Sequence, residues 1–402
     1  MLRSTVTLLT ALLLPPAAWS QNQHDGRFFP KKGLLPKEET GALRFLKEHP
    51  DYDGRGILVA ILDSGIDPGV EGLQKTPDGR PKIVDVVDAT GSGDVVTSTV
   101  LQAQDGKLVG LTGRTLTVGK DWQNPTGDFH VGMKAGWELF PSSLIDRLKG
   151  ERRESFEAHH HGLRRTLLEK LLGLSSDDKD QRQEWQARLD AVDGMLKSYK
   201  DPGPIFDCLV FHDGTHWQTV IDTNQDGDLN DESVLTNYKT KRQFASFGEA
   251  SQLNYAVNIR QEGNLLSIVV PSNMHGTHVA GIVGGHYPHE PELNGLAPGV
   301  QFVSVKIGDS RIDGMETGSA VVRGLKTVLD HGCQMINMSY GEPTRLPNQG
   351  RIMRLIEEVV HEHRVIFVAS AGNAASSGAS RRSTTAATDK PASAAVNAVI
   401  QA

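Results

Sequence analysis

Cysteine is nearly missing from this sequence, with two residues, Cys208 and Cys333, in a chain of 402. Both lie in or beside apolar runs that read as buried strands. Two buried thiols are therefore expected, and a disulfide between them has no support in the pattern. A cross-linked scaffold is excluded, so the fold must be stabilised by its core. An excess of basic charge is missing too. The 49 acidic and 42 basic residues give a net charge of -7, with no basic stripe that would neutralise phosphates, which removes nucleic acid from the expected partners. After the first twenty residues no apolar run approaches a membrane-spanning length. There is no internal repeat, and low complexity is confined to the Ala/Ser/Thr-rich stretch after Asn373.

What is present is the material of a globular protein. A hydrophobic content of 38% and 42 glycines suit one large or two medium domains. The first residues read Met1-Leu2-Arg3-Ser4, an apolar run from Val6 to Leu14, Pro15-Pro16 and the small-x-small pattern Ala18-Trp19-Ser20. This layout predicts a signal peptide over 1–20, cleaved near Gln21, and an exported protein, periplasmic or extracellular, with no membrane attachment after cleavage.

From Ile57 to Leu62 the chain is continuously apolar, between Gly56 and Asp63, as a strand covered on both faces of a parallel sheet would be. The pattern returns later. Strands are expected at 302–307, 335–339 and 365–369, and amphipathic helices at 317–330 and 351–363. Residues 21–94 and 263–373 thus read as two parts of one catalytic domain, with 374–402 as a tail. Between them, 95–262 reads as an insertion domain. Its Leu163, Leu167, Leu171 and Trp185, Leu189, Val192, Met195 fall at helical spacing and predict an antiparallel helical hairpin. Two apolar runs around Asp213-Gly214 predict a β-hairpin. The fold class is α/β, a doubly wound and mostly parallel sheet carrying a large α+β insertion.

Three short motifs carry chemistry: Asp63-Ser64-Gly65 at the end of the first strand, His275-Gly276-Thr277-His278, and Ala371-Gly372-Asn373 just past the last. Open α/β sheets place functional groups at that carboxyl edge. Nucleophilic amide hydrolysis needs a base, a buried carboxylate that holds the base in one tautomer, and a donor for the oxyanion. His275, Asp63 and Asn373 supply these roles, while His278 is expected to pack structurally. Two metal-like patterns are weaker. The Asp222–Asp228 stretch resembles the start of a calcium loop, but Ser233 stands where a bidentate Glu is wanted, so a turn is expected. His159, His160 and His161 would point in different directions on a helix. No cofactor and no metal are expected.

The order Asp, His, Asn, each within its motif, resembles the subtilases, a family of serine peptidases. Asn337-Met338-Ser339-Tyr340-Gly341 resembles the wall on which subtilases lay the substrate as an added strand, which assigns Ser339, Tyr340 and Gly341 to substrate binding. From about Gly33 to Asn373 the chain is more closely similar to the tripeptidyl-peptidase II type. The shared stretches include Tyr52-Asp53-Gly54-Arg55-Gly56, Asp78-Gly79-Arg80-Pro81 and Lys306-Ile307-Gly308-Asp309. That type carries the long insertion between the catalytic Asp and His, and the resemblance implies that Glu316 and Glu342 bind the free amino terminus of a peptide substrate. Two carboxylates would hold an ammonium by charge-assisted hydrogen bonds and fix the distance to the scissile bond.

Past Asn373 the expected likeness ends. No Gly-Thr-Ser, the triplet bearing the family's nucleophile, occurs in the sequence, which points to a truncated or frame-shifted tail and an inactive chain. Two alternatives are a non-catalytic protein that binds peptide amino termini and a fragment that does not fold. Relatives of this type are cytosolic, which the leader contradicts, and full-length members assemble into homo-oligomers.

Overall fold

The computed structural model describes residues 35–175, 177–341 and 349–370. The expected leader, the tail, Glu342 and Asn373 lie outside the described residues.

The core of the fold is a five-stranded parallel sheet in the order Ile366–Ala369, Met335–Met338, Leu58–Asp63, Gln301–Lys306, Ile83–Asp88. The middle strand is the continuous apolar run, and it is apolar throughout because each face is buried. Val59 and Ile61 enter a layer with Ile66, Val269, Ala280 and Phe302, while Ala60 and Leu62 enter another with Val305, Leu325, Val328 and Ile336. The period of two along a strand divides the residues this way. Cutting a buried leucine back to alanine in such a layer costs about 2–5 kcal/mol. Helices Gly318–Asp330 and Arg351–His361 cover the Leu62 face, and His275–Gly284 packs on the Ile61 face. Thr317, expected as the first helical residue, is instead the cap, its hydroxyl accepting from the Ala320 N–H.

After the Ile83–Asp88 strand, the strands of the segment leading to His275 pair antiparallel. One sheet runs in the order Leu235–Thr236, Trp217–Ile221, Ile205–His212, Asp128–Ala135, Thr99–Gln102. Its central hairpin turns at Asp213-Gly214, where Gly214 has φ 95°. Beside it Ser142–Leu172 and Lys179–Ser198 pair as two charged helices, with Arg164 bridging to Asp193 at 2.8 Å. His159 and His161 are exposed on the first of these, and His160 stacks on Phe156 with centroids 3.8 Å apart. A second antiparallel sheet, Ala245–Ser246, Asn254–Arg260, Leu265–Val269 and Asp94–Val96, takes strands from both sides of the 94/95 and 262/263 boundaries. It is tied to the parallel sheet by Asn258, whose amide donates to the Val86 carbonyl at 2.7 Å, and to the turn after Asp63 by Asn254, which donates to Asp67 at 2.9 Å.

Cys208 and Cys333 are free and buried in different cores. In the 222–233 loop Asp222 is buried against Arg114 and Glu232 folds back on Thr223 and Asn224. Among the described residues no group of three or more His, Cys, Asp or Glu is arranged to hold a metal ion, and no helix is long and apolar enough to cross a membrane.

Candidate active site

Asp63 is the last residue of the middle strand, and the two residues after it explain how a histidine 212 positions away reaches it. Gly65 turns the chain at φ 99°, in the left-handed region, and a Cβ there would stand 3.2 Å from the Cα of Pro271. Ser64 is buried, and its hydroxyl accepts from the Gly276 N–H at 2.8 Å while donating to the Asn273 carbonyl at 3.1 Å. Thr277 adds a third link by accepting from the Asp67 N–H at 3.0 Å. Gly276 lets the helix approach this closely, because a Cβ on it would lie 2.6 Å from the Gly65 carbonyl oxygen and 3.1 Å from the Cβ of Asp63. The Asp-Ser-Gly and His-Gly-Thr-His motifs are therefore two halves of one joint.

The joint brings His275 Nδ1 to 2.8 Å from Asp63 Oδ1. Asp63 is fully buried, and the same oxygen also accepts from the Ser64 N–H at 2.7 Å. Its Oδ2 is buried with no hydrogen-bond partner among the described residues. The His275 side chain is 52% exposed, so the carboxylate is dry and the imidazole reaches solvent. This is the geometry by which a carboxylate fixes Nδ1–H and leaves Nε2 to take a proton.

Of the residues assigned to substrate, Tyr340 stands beside this pair. Ser339, Tyr340 and Gly341 follow the Met335–Met338 strand, partly buried to exposed, and Ser339 accepts from the Asn337 amide at 3.0 Å. The Tyr340 and His275 rings meet nearly at right angles, with centroids 6.5 Å apart at 80°. Burial raises its hydroxyl pKa, the Asp63 charge adds to this, and hydrogen bonds with Asn273 and Ser272 oppose it. Glu316 lies in the short strand Met315–Glu316, paired antiparallel with Gly308–Asp309 beyond the Gln301–Lys306 strand. Glu342 and Asn373, its expected companion and the expected oxyanion donor, lie outside the described residues. His278 differs from expectation: it is exposed, because a spacing of three places it on the same open helix face as His275.

Sequence reasoning passed over one buried cluster. Lys306 sits opposite Asp63 in the sheet register, fully buried, and donates to Ser92 at 2.8 Å and Ser310 at 3.0 Å. Asp88 lies in the same pocket and accepts from Thr90, Gly91, Ser92 and Gly93. Burial pushes the Lys306 pKa down while Asp88 and Asp309 resist. Burial alone would raise Asp88, but the Lys306 charge and its donors outweigh this and hold the carboxyl below its usual range. A lysine closing a strand reads from sequence as exposed, so only the shared Lys306-Ile307-Gly308-Asp309 stretch hinted at it.

The subtilase family model matches residues 54–401, a span that continues beyond Asn373, where the motif reading ended. The chain is 46% identical over 357 residues to tripeptidyl-peptidase 2 of Oryza sativa subsp. japonica, covering 85% of this chain and 26% of the relative. It is 39% identical over 350 residues to tripeptidyl-peptidase 2 of Caenorhabditis elegans, covering 85% and 25%. A crystal structure of tripeptidyl peptidase 2 superposes with a TM-score of 0.65 at 30% identity, covering 83% of this chain and 27% of that one. The chain thus spans about a quarter of the length of these relatives.

Proposed function

This chain belongs to the subtilase family, and on that premise we propose that it supplies the base, its orienting carboxylate and the amine-binding end of a tripeptidyl-peptidase II-type serine peptidase site. The observation that carries the reading is the 2.8 Å contact between Asp63 and His275, made by two motifs from distant parts of the chain. In this proposal Asp63 holds His275 in the Nδ1–H tautomer, and Nε2 removes the proton of an attacking serine and later returns it to the leaving amine. Ser339, Tyr340 and Gly341 pair with the substrate backbone. Glu316, with Glu342, takes the substrate ammonium, so that three residues separate the captured end from the scissile bond. Asn373 donates to the oxyanion, a role whose loss costs about 10²- to 10³-fold in turnover.

The 402 residues contain no Gly-Thr-Ser. The proposal therefore gives this chain no attacking hydroxyl, and a site without its serine keeps only about 10³- to 10⁴-fold acceleration over water. The same observation favours a second reading, capture of peptide amino termini without cleavage. Two experiments test the proposal. Calorimetry with tripeptides bearing free and acetylated amino ends should show binding of the free form only, and equal affinities would remove the amine-capture role. A fluorophosphonate probe should leave the chain unlabelled, and stoichiometric labelling would show that a nucleophile is present after all.

A further inference from the structure

We propose that the cleft between the helix Gly318–Asp330, the outer strand Ile83–Asp88 and the short insertion helix Tyr238–Lys241 binds a phosphate dianion, free or carried on a small phosphate ester. The cavity measures about 460 Å³, inside the range of about 300–1,000 Å³ usual for small-molecule sites. None of its lining residues belongs to the Asp63–His275 joint. Its charged lining consists of Lys239, Arg260, Arg323, Lys326 and His331 against Asp85, Asp88 and Asp330. The three carboxylates are already engaged. Asp85 accepts from His331 Nε2 at 2.9 Å and from the Val86 N–H at 2.8 Å. Asp88 is held by the turn that follows it and by the Lys306 charge, and Asp330 pairs with Lys326. Lys326 and His331 are spent in these pairings, at the end of a helix where cations also offset the last carbonyls.

Three cations remain, each from a different element. Arg323 donates Nε–H to the Ala89 carbonyl and a terminal N–H to the Thr90 carbonyl at 2.9 Å, so the backbone fixes its fork while no carboxylate neutralises it. Arg260 closes the strand Asn254–Arg260 on the same face as Asn258, whose amide bonds Val86, and so it is carried toward the outer strand. Lys239 comes from the short helix. Among the described residues, the side chains of Lys239 and Arg260 make no hydrogen bond and no ion pair. Like charges lining one cavity repel one another, and in a chain of net charge -7 their concentration here is not a by-product of composition. A single carboxylate would offset only one of them. A phosphate dianion offsets two, offers oxygens to the guanidinium forks in pairs and accepts the lysine as a point charge. Bound there, it would tie the insertion, through Lys239 and Arg260, to the helix that covers the parallel sheet.

Calorimetry of the 402-residue chain with inorganic phosphate and with ribose 5-phosphate, in a phosphate-free buffer, tests the site. Binding at a single site is expected. A tighter ester would identify a phosphate ester as the ligand, and equal affinities the free ion. Lys239→Gln and Arg260→Gln should each weaken binding about tenfold, the share of one charge-assisted hydrogen bond, and neither takes a side-chain contact from the fold. Arg153→Gln removes an equal charge from the insertion's long helix, where it pairs with Glu157, and should leave the affinity unchanged. In ¹⁵N-histidine spectra, added phosphate should move the His331 ring signals and leave those of His275 in place. The proposal is overturned by absence of binding with both probes, by an Arg153→Gln loss equal to the others, or by a His331 ring that does not respond.

Discussion

Two glycines of one helix should respond oppositely to alanine. Gly276 and Gly281 both lie in His275–Gly284, so replacing either removes backbone freedom from the unfolded chain and improves helix propensity by up to about 1 kcal/mol. At Gly281 the added Cβ meets nothing within 4 Å, and the gain should appear undiminished. At Gly276 the Cβ would stand 2.6 Å from the Gly65 carbonyl oxygen and 3.1 Å from Asp63, the one in the tight turn and the other at the end of the strand. Backbone must move, and such overpacking costs about 1–3 kcal/mol, which exceeds the propensity gain. Gly276→Ala should therefore be less stable than the parent and Gly281→Ala more stable, the two separated by the overpacking cost of about 1–3 kcal/mol. Urea unfolding with a shared slope measures both. Equal stabilisation by the two alanines would refute the claim that the helix start is pressed against the Asp63 motif.

Three other outcomes follow from buried groups. His331 has Nδ1 2.8 Å from the Thr327 carbonyl and Nε2 2.9 Å from Asp85, so only the imidazolium satisfies both, and the Asp85 bond raises its pKa. A raised folded pKa gives stability that is complete below the unfolded value of about 6.5 and lost as pH rises through the folded one, so the gap between parent and His331→Gln should be full in mild acid and shrink as pH rises above about 6.5. A gap that widens would contradict the assignment. Lys306→Met should cost about 3–5 kcal/mol by stranding buried Asp88, and adding Asp88→Asn should recover part of the loss; a single variant as stable as the parent would show that the pair is not coupled. Cys333, pushed up to about 12 by burial, and Cys208, raised further in a fully buried site, should resist Ellman's reagent until the chain unfolds, whereas rapid native labelling would place a thiol at the surface.

The individual elements were legible because their signals are local. The run from Ile57 to Leu62, the hairpin at Asp213-Gly214 and the helical spacing around Leu189 and Val192 each depend on neighbours in sequence, and each element stands within a few residues of its expected place. The boundaries of the insertion were harder. Asp94–Val96 joins Leu265–Val269 across 169 or more positions, and nothing in either three- or five-residue strand announces the other. At the site, Asp63 and His275 were readable because motif and resemblance named them. The side chains that join them were not. Ser64, Asn273 and Thr277 are common polar residues whose partners lie more than 200 positions away or on a neighbouring turn. Lys306 and Asp88 were hidden for a related reason, since a charge in sequence reads as solvent-facing until its partner is seen.

The most direct measurement of the joined Asp63 and His275 is the ¹⁵N spectrum of the His275 ring in the parent chain and in Asp63→Ala, at alkaline pH where the imidazole is neutral. The account predicts that the proton sits on Nδ1 in the parent and leaves that nitrogen when the carboxylate is removed. A parent ring protonated on Nε2, unchanged by Asp63→Ala, would contradict it.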